Sequence, residues 1–175
     1  MDEAQKMNTM VKKLLTLNEM EFGQDTVSME RFNMAELIEG VAQSCSLLVQ
    51  QKDGKLRLKL EKSLYVWSDE LKIEEVLTNY ISNACNHLSG DRVIEIKAEK
   101  KNEKVRVSVF NTGNQIPEED LERIWDKFYK VDKAHTREYG GSGIGLSIVK
   151  AIMESVGGAY GVNNYQNGVE FWIEL

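Results

Sequence analysis

The stretch Glu75-Val76-Leu77-Thr78-Asn79-Tyr80-Ile81-Ser82-Asn83-Ala84 decides how this chain is read. Ile73, Val76, Leu77, Tyr80, Ala84 and Leu88 recur at helical spacing and form one apolar stripe. Glu75, Asn79 and Asn83 stand four apart, so they share a second stripe beside the first, extended by Asn86 and His87. The spacing predicts a helix over 70–88, capped by Ser68 or Asp69. Asparagine disfavours helix interiors, and here it stands at 79, 83 and 86 of one helix. A solvated polar face is the plain alternative, for which Lys, Glu and Gln would be more natural. Local contradictions of this kind tend to fall at functional sites. Carboxamide oxygens suit a hard cation such as Mg2+, which often binds between one or two protein ligands and substrate phosphates.

Downstream of this helix the chain alternates. Ile94, Ile96 and Ala98 alternate with Glu95, Lys97 and Glu99, and Val105, Val107 and Val109 with Arg106 and Ser108. Two strands joined by a turn at Asn102-Glu103 follow from this pattern. From Asn111 to Gly145, glycine, charge and aromatics replace alternation, and a loop of that length in a compact domain is usually functional. Within it, Pro117-Glu118-Glu119-Asp120 opens a short helix with Leu121, Ile124, Trp125 and Phe128 on one face. A last helix is expected over 142–156, then strands near 159–163 and 169–175.

Upstream, Leu37, Ile38, Val41, Cys45 and Leu48 predict a helix over 34–50. Asp53-Gly54 makes a turn; Leu56, Leu58 and Leu60 form a half-buried strand, and Tyr65–Trp67 a short one. Residues 1–22 read as a helix with Met7, Met10, Leu14 and Leu17 at heptad a and d positions, widened by Val11. It either packs on the domain or ends a dimerising hairpin. The segment is followed by Phe22-Gly23-Gln24-Asp25, which reads as a break; the heptad pattern together with the family resemblance given below favours the hairpin.

Elements in this order give an α+β fold, a two-layer α/β sandwich with one mixed sheet and helices on one face. The 175 residues make one domain, or one domain with a short attachment, able to bury a core without disulfide or metal staples. With Lys+Arg 22 against Asp+Glu 28, the net charge of -6 repels phosphate backbones and argues against a general nucleic-acid or anionic-membrane binder, while leaving room for a local basic patch. The longest apolar run, Leu64 to Trp67, is too short to cross a bilayer, and no secretory signal precedes it. Cys45 and Cys85 sit on apolar-periodic segments and read as buried free thiols in a reducing compartment. Two cysteines and two histidines without ligand spacing argue against structural zinc.

Two further features bear on chemistry. Gly140-Gly141-Ser142-Gly143-Ile144-Gly145-Leu146 runs straight into the last helix. Its glycines let backbone N–H groups approach an anion where a helix N-terminus adds partial positive charge. The spacing is neither G-x-G-x-x-G nor a Walker loop, and a flexible capping loop is the plain alternative. Asn111-Thr112-Gly113 follows the strand Val105–Phe110. Asn111 can meet the donor and acceptor edge of adenine, or simply bond its own backbone in a turn.

In this order the features resemble the catalytic ATP-binding domain of bacterial two-component sensor histidine kinases, over nearly the whole chain. Residues 75–84 resemble the family's N box, Val109–Pro117 its G1 box, Trp125–Lys130 its F box, Gly141–Leu146 its G2 box and Gly168–Phe171 its closing Gly-Thr-x-Phe strand. The family belongs to the wider Bergerat-fold ATPases. The resemblance makes residues 1–24 the end of the dimerisation and phosphoacceptor hairpin with its linker, and 25–175 the catalytic domain. It implies ATP and Mg2+ as cofactors, with Asn83 as metal ligand and Asn79 at the triphosphate. Asn86 and His87 continue that wall. Asn111 would read the adenine amino group, Gly113 would let the base approach, and Ile116, Phe128 and Tyr129 would line the pocket. Lys130 would contact phosphate, while Gly141, Ser142, Gly143, Ile144, Gly145 and Leu146 would line the phosphates and hinge a lid over 114–140. Glu75 would act with Asn79 in catalysis, activating water as in the ATPase relatives or orienting groups as in the kinases.

The implied partners are a phosphoacceptor histidine hairpin and a response regulator, in a homodimer of the full-length protein. The implied location is the cytoplasmic portion of a membrane-bound sensor. Several residues depart from the family's pattern. Asn111 replaces the usual Asp, Gln115 a glycine and Asn86 a basic residue; His135 stands where Arg is common, with Lys133 and Arg137 near it. Neither His87 nor His135 is followed by the acceptor pattern Glu/Asp-x-Arg/Lys, so the chain reads as a C-terminal fragment of a longer sensor. The competing readings are a Bergerat-type ATPase and a degenerate nucleotide-binding scaffold without kinase activity.

Overall fold

The computed structural model describes residues 3–21, 23, 26–131 and 143–175. The expectations for Phe22, Gln24 and Asp25, and for Lys133, His135, Arg137, Gly140, Gly141 and Ser142, lie outside the described residues. Helix α1 (Glu3–Glu21) is followed by strand β1 (Glu30–Asn33) and helix α2 (Met34–Gln51). Asn33 caps α2: its Oδ1 accepts from the Ala35 N–H at 3.1 Å and from the Leu64 N–H at 3.2 Å. Strands β2 (Lys55–Leu60) and β3 (Tyr65–Ser68) lead into helix α3 (Glu70–Asn86). Strands β4 (Val93–Lys101) and β5 (Lys104–Thr112) form a hairpin whose turn residues Asn102 and Glu103 both take positive φ, 51° and 68°. That geometry matches the right-handed twist of the strands it joins. After turns of 3-10 helix at Glu118–Asp120 and Arg123–Trp125 come helix α4 (Gly145–Val156) and strands β6 (Ala159–Tyr165) and β7 (Gly168–Glu174).

Five strands make one mixed sheet in the order β2-β4-β5-β7-β6, with only the β2–β4 pair parallel. Register places Ile96 opposite Val109 and Val109 opposite Phe171. Ile94, Ile96, Ala98, Val107, Val109, Val169, Phe171 and Ile173 are buried on one face. Helices α2, α3 and α4 cover that face with Ile38, Val41, Ile73, Val76, Leu77, Ile148 and Ile152, all buried. Each such side chain contributes roughly 2 kcal/mol. The outer face is polar, and there Arg106 pairs with Glu174 at 3.0 Å and lies 4.1 Å over the Trp172 ring. This is the two-layer sandwich expected from the alternation.

The structure corrects several details. β1, a strand not expected from the sequence, pairs antiparallel with the expected short strand β3 in a separate two-stranded ribbon. β2 is an edge strand on which Leu58 stays 41% exposed, so it is less buried than its alternation suggests. The single helix expected after Pro117 is two 3-10 turns; Ile124 and Trp125 are buried, but Phe128 is exposed, with φ 64°. The last helix begins at Gly145, after Gly143 and Ile144, which are not helical. On α1, Leu17 is buried and Met10, Leu14 and Met20 lie half-buried against the core, while Met7, Val11 and Leu15 are exposed. Both cysteines are buried and free, and burial pushes the Cys85 thiol up to about 11.

Asp69, not Ser68, caps α3. Its Oδ1 accepts from the Lys72 N–H at 3.2 Å and its Oδ2 from the Ser28 N–H at 2.9 Å, so one carboxylate joins the helix start to the strand entering β1. Ser68 Oγ is buried without a hydrogen-bond partner among the described residues. Asp69→Ala is expected to cost about 1–3 kcal/mol in urea unfolding, and Ser68→Ala to change stability by less than about 0.5 kcal/mol. A Ser68→Ala loss as large as that of Asp69→Ala would show that the hydroxyl has a structural partner.

Candidate functional site

The expected site residues gather around two points on one side of α3, its middle and its C-terminal end. Near its middle, the Asn79 Nδ2 donates to the Glu75 carbonyl at 3.0 Å, which turns the carboxamide along the helix. Its Oδ1 faces the first residue of α4: a Cβ on Gly145 would lie 3.1 Å from it. Glycine at 145 therefore brings the N-terminus of α4 against the carboxamide stripe of α3. Glu75, Asn83 and Asn86 are all half-buried on α3. Among the described residues, no group of three or more His, Cys, Asp or Glu side chains could hold a metal ion. Any cation here would be met by carboxamide oxygen and by the ligand's own oxygens, the mode suited to Mg2+.

The approach to α4 is shaped by the segment after Trp125. Gly143 takes φ 78°, and its carbonyl accepts from the Phe128 N–H at 2.6 Å. A Cβ on Gly143 would lie 2.9 Å from the Phe128 Cα and 3.4 Å from the Lys130 Cε. The F-box residues thus lie against the glycine turn, and the Lys130 stem passes beside Gly143. Tyr129 donates its hydroxyl to the Asp120 carboxylate, a bond that raises its pKa, and its ring lies 4.8 Å below the Arg123 guanidinium. Lys127 bonds to Glu21 at 2.7 Å, joining this segment to the end of α1. Ile144 is fully buried under the turn, and Leu146 is half-buried on α4.

The other pole lies where α3 ends. The His87 N–H closes the helix on the Asn83 carbonyl at 3.2 Å. Its own carbonyl accepts from the Asn111 Nδ2 at 3.4 Å, and the Thr112 carbonyl accepts from the same nitrogen at 3.0 Å. Two carbonyls facing one carboxamide fix its orientation, because only the NH2 end can donate to them. The Oδ1 of the buried Asn111 is the end left to act as an acceptor for a ligand. Gly113 takes φ 155°, and a Cβ there would come 2.5 Å from the His87 carbonyl. Only glycine lets the loop after β5 lie this close to α3. His87 is exposed at the helix end, and the partial desolvation of its ring lowers its pKa.

Ile116, three residues on from Gly113, is held at the end of β6. The Asn164 carboxamide accepts from its N–H at 2.9 Å and donates to its carbonyl at 2.7 Å. Gln115 Nε2 donates to the Tyr165 carbonyl at 2.7 Å. The sequence reading did not single out Asn164. Its signal is the pair Asn163-Asn164 inside a strand, against β propensity and comparable to the asparagines of α3.

Residues 68–175 match the family described as histidine kinase-, DNA gyrase B-, and HSP90-like ATPase. The sensor protein IrlS of Burkholderia pseudomallei is 31% identical over 175 residues, covering 99% of this chain and 37% of IrlS. The chain therefore spans little more than a third of that relative. The catalytic domain of histidine kinase ThkA superposes with TM-score 0.75 and 33% identity, over 85% of this chain and 95% of that domain. ThkA in complex with the response regulator protein TrrA aligns with TM-score 0.80 and 31% identity, over 99% of this chain and 48% of the kinase chain.

The contact between Gly143 and the F box is directly testable. Gly143→Ala places a Cβ at positive φ against the Phe128 backbone, and is expected to cost about 1–2 kcal/mol. The Phe128 amide should then exchange faster, while amides of β4 and β5 keep their protection. Wild-type exchange at Phe128 in the variant would show that this contact does not hold the segment.

Proposed function

The chain belongs to the histidine kinase-, DNA gyrase B- and HSP90-like ATPase family, and on that premise we propose that it is the catalytic domain of a two-component sensor histidine kinase. It binds Mg2+-ATP and transfers the γ-phosphoryl group to a histidine on a hairpin outside this chain, which then supplies a response regulator. Residues 1–24 are the end of that hairpin and its linker, and the hairpin dimerises the full-length sensor. The domain works in the cytoplasmic portion of a membrane-bound protein.

One observation carries this reading. A single helix, α3, presents the Asn79 carboxamide to Gly145 at one point and the His87 carbonyl to Asn111 and Gly113 at another. From Asn79 to His87 the helix rises roughly 12 Å. That span suits a nucleoside triphosphate laid along α3, with its base at Asn111 and its phosphates at α4. The Asn111 Oδ1 accepts from the adenine amino group, and the fit of Gly113 under the His87 carbonyl leaves room for the base. Backbone N–H groups at the start of α4 and the ammonium of Lys130 meet the phosphates. Asn83 would hold the metal by its carboxamide oxygen and Asn79 would meet the triphosphate, with Asn86 and His87 continuing the wall. Mg2+, held there, would supply positive charge to offset the phosphates. Glu75, one turn before Asn79, orients the incoming imidazole. In the transfer a bond forms from the imidazole nitrogen to phosphorus, the bond to the bridging oxygen breaks, and ADP leaves.

Asn83→Ala is expected to leave the fold intact and weaken Mg2+-dependent ATP binding by about ten- to a hundredfold. Calorimetry with and without Mg2+ reads it; unchanged affinity removes Asn83 from the metal site. The second test concerns transfer. His87 ends the helix on which the nucleotide lies, so the chain alone should bind Mg2+-ATP without labelling itself. Adding the native hairpin should give acid-labile, base-stable label from γ-labelled ATP. Phosphate release without transfer would favour the ATPase reading, and binding with neither outcome would favour the scaffold.

A further inference from the structure

The end of the β6–β7 hairpin holds the loop after β5 at Gly113, Gln115 and Ile116. The Gly113 N–H donates to the Asn167 carbonyl at 3.0 Å, and the Gln115 side chain to the Tyr165 carbonyl at 2.7 Å. Asn164 bonds both the N–H and the carbonyl of Ile116, at 2.9 and 2.7 Å. One carboxamide thereby gives Ile116 the pair of bonds that a neighbouring strand would give it, although residues 113–117 belong to no strand. The turn also meets the start of the same loop, because a Cβ on Gly168 would collide with the Asn111 carbonyl. Asn111 and Ile116 are therefore set by one rigid piece, the end of the β6–β7 hairpin.

Resting on the nucleotide-binding reading above, we propose that Asn164 is a positioning residue for recognition of the base. It does not touch the ligand. It fixes Ile116 relative to Asn111, and so fixes the shape of the base end of the site. The phosphate end, built from α3, Lys130 and the start of α4, does not depend on it. Gln115 belongs to the same device. At a position where the resembled family carries a flexible glycine, this chain carries a side chain that fastens the loop to β6. The loop root is thereby fastened to the β6–β7 hairpin at Gly113, Gln115 and Ile116.

The two ends of the site can be read separately in the full chain. Asn164→Ala should weaken ATP and ADP binding by about five- to tenfold, the scale of two lost hydrogen bonds partly replaced by water. Binding of Mg2+-tripolyphosphate, which has no base, should be unchanged. The preference for ATP over GTP should narrow, and the Ile116 amide should exchange faster while core amides do not. Asn164→Asp keeps the acceptor for the Ile116 N–H and loses the donor, so it should fall between wild type and Ala. Competition against a fluorescent ATP analogue measures each affinity. Equal losses for ATP and tripolyphosphate would mean a general structural role and overturn the proposal. Wild-type ATP affinity and selectivity in Asn164→Ala would overturn it as well. Wild-type protein that bound no adenine nucleotide would instead refute the nucleotide reading on which it rests.

Discussion

The fold and the site both depend on the azimuth of α3. Ile73, Val76, Leu77, Tyr80, Ile81 and Ala84 are almost wholly buried, so this helix is a central piece of the core. Its rotation is fixed by more than apolar contact. The Tyr80 hydroxyl donates to the Trp172 carbonyl at 3.1 Å, and its ring lies 5.3 Å from that of Phe171. Burial raises the Tyr80 pKa well above its usual value, so the phenol remains a donor throughout the ordinary pH range. A slip of one residue would turn the helix by about 100° and carry Glu75, Asn79 and Asn83 away from α4. The polar stripe is aligned because the apolar one has a single way to pack.

The same division explains what could be read in the sequence. α3, its two stripes and the β4–β5 hairpin are legible because their signals are local and periodic. β1 is not, because Glu30-Arg31-Phe32-Asn33 has one core residue, Phe32, and becomes a strand only by pairing with β3 more than thirty positions on. Ser68 and Asp69 are equivalent caps by composition. The structure separates them because only Asp69 also reaches the Ser28 N–H. Phe128 looked apolar and helical, yet positive φ turns it out of the core, so that its backbone rather than its ring makes the decisive contact, with Gly143. The hold of Asn164 on Ile116 joins residues 48 positions apart, and only the mismatch of asparagine with a strand hints at it.

Helix α1 shows where a pattern read as one function divides into two. Its heptad stripe suggested a single dimerising seam. Leu17 is buried on the domain, with Met10, Leu14 and Met20 beside it, and Met7, Val11 and Leu15 are left outward. The packed residues hold α1 to the core, and the outward ones stay exposed. The Lys127–Glu21 pair adds little to that attachment, since an exposed ion pair contributes at most about 1 kcal/mol.

The edge position of β2 has a consequence for solubility. An edge strand offers unpaired backbone groups to any other strand, and its leucines alone would make it adhesive. Lys55, Arg57 and Lys59 alternate with those leucines and are all exposed. Two copies meeting edge to edge along β2, in parallel register, would set each cation against its twin, which disfavours the pairing. The charges that leave this strand half out of the core therefore guard the open side of the sheet against self-association.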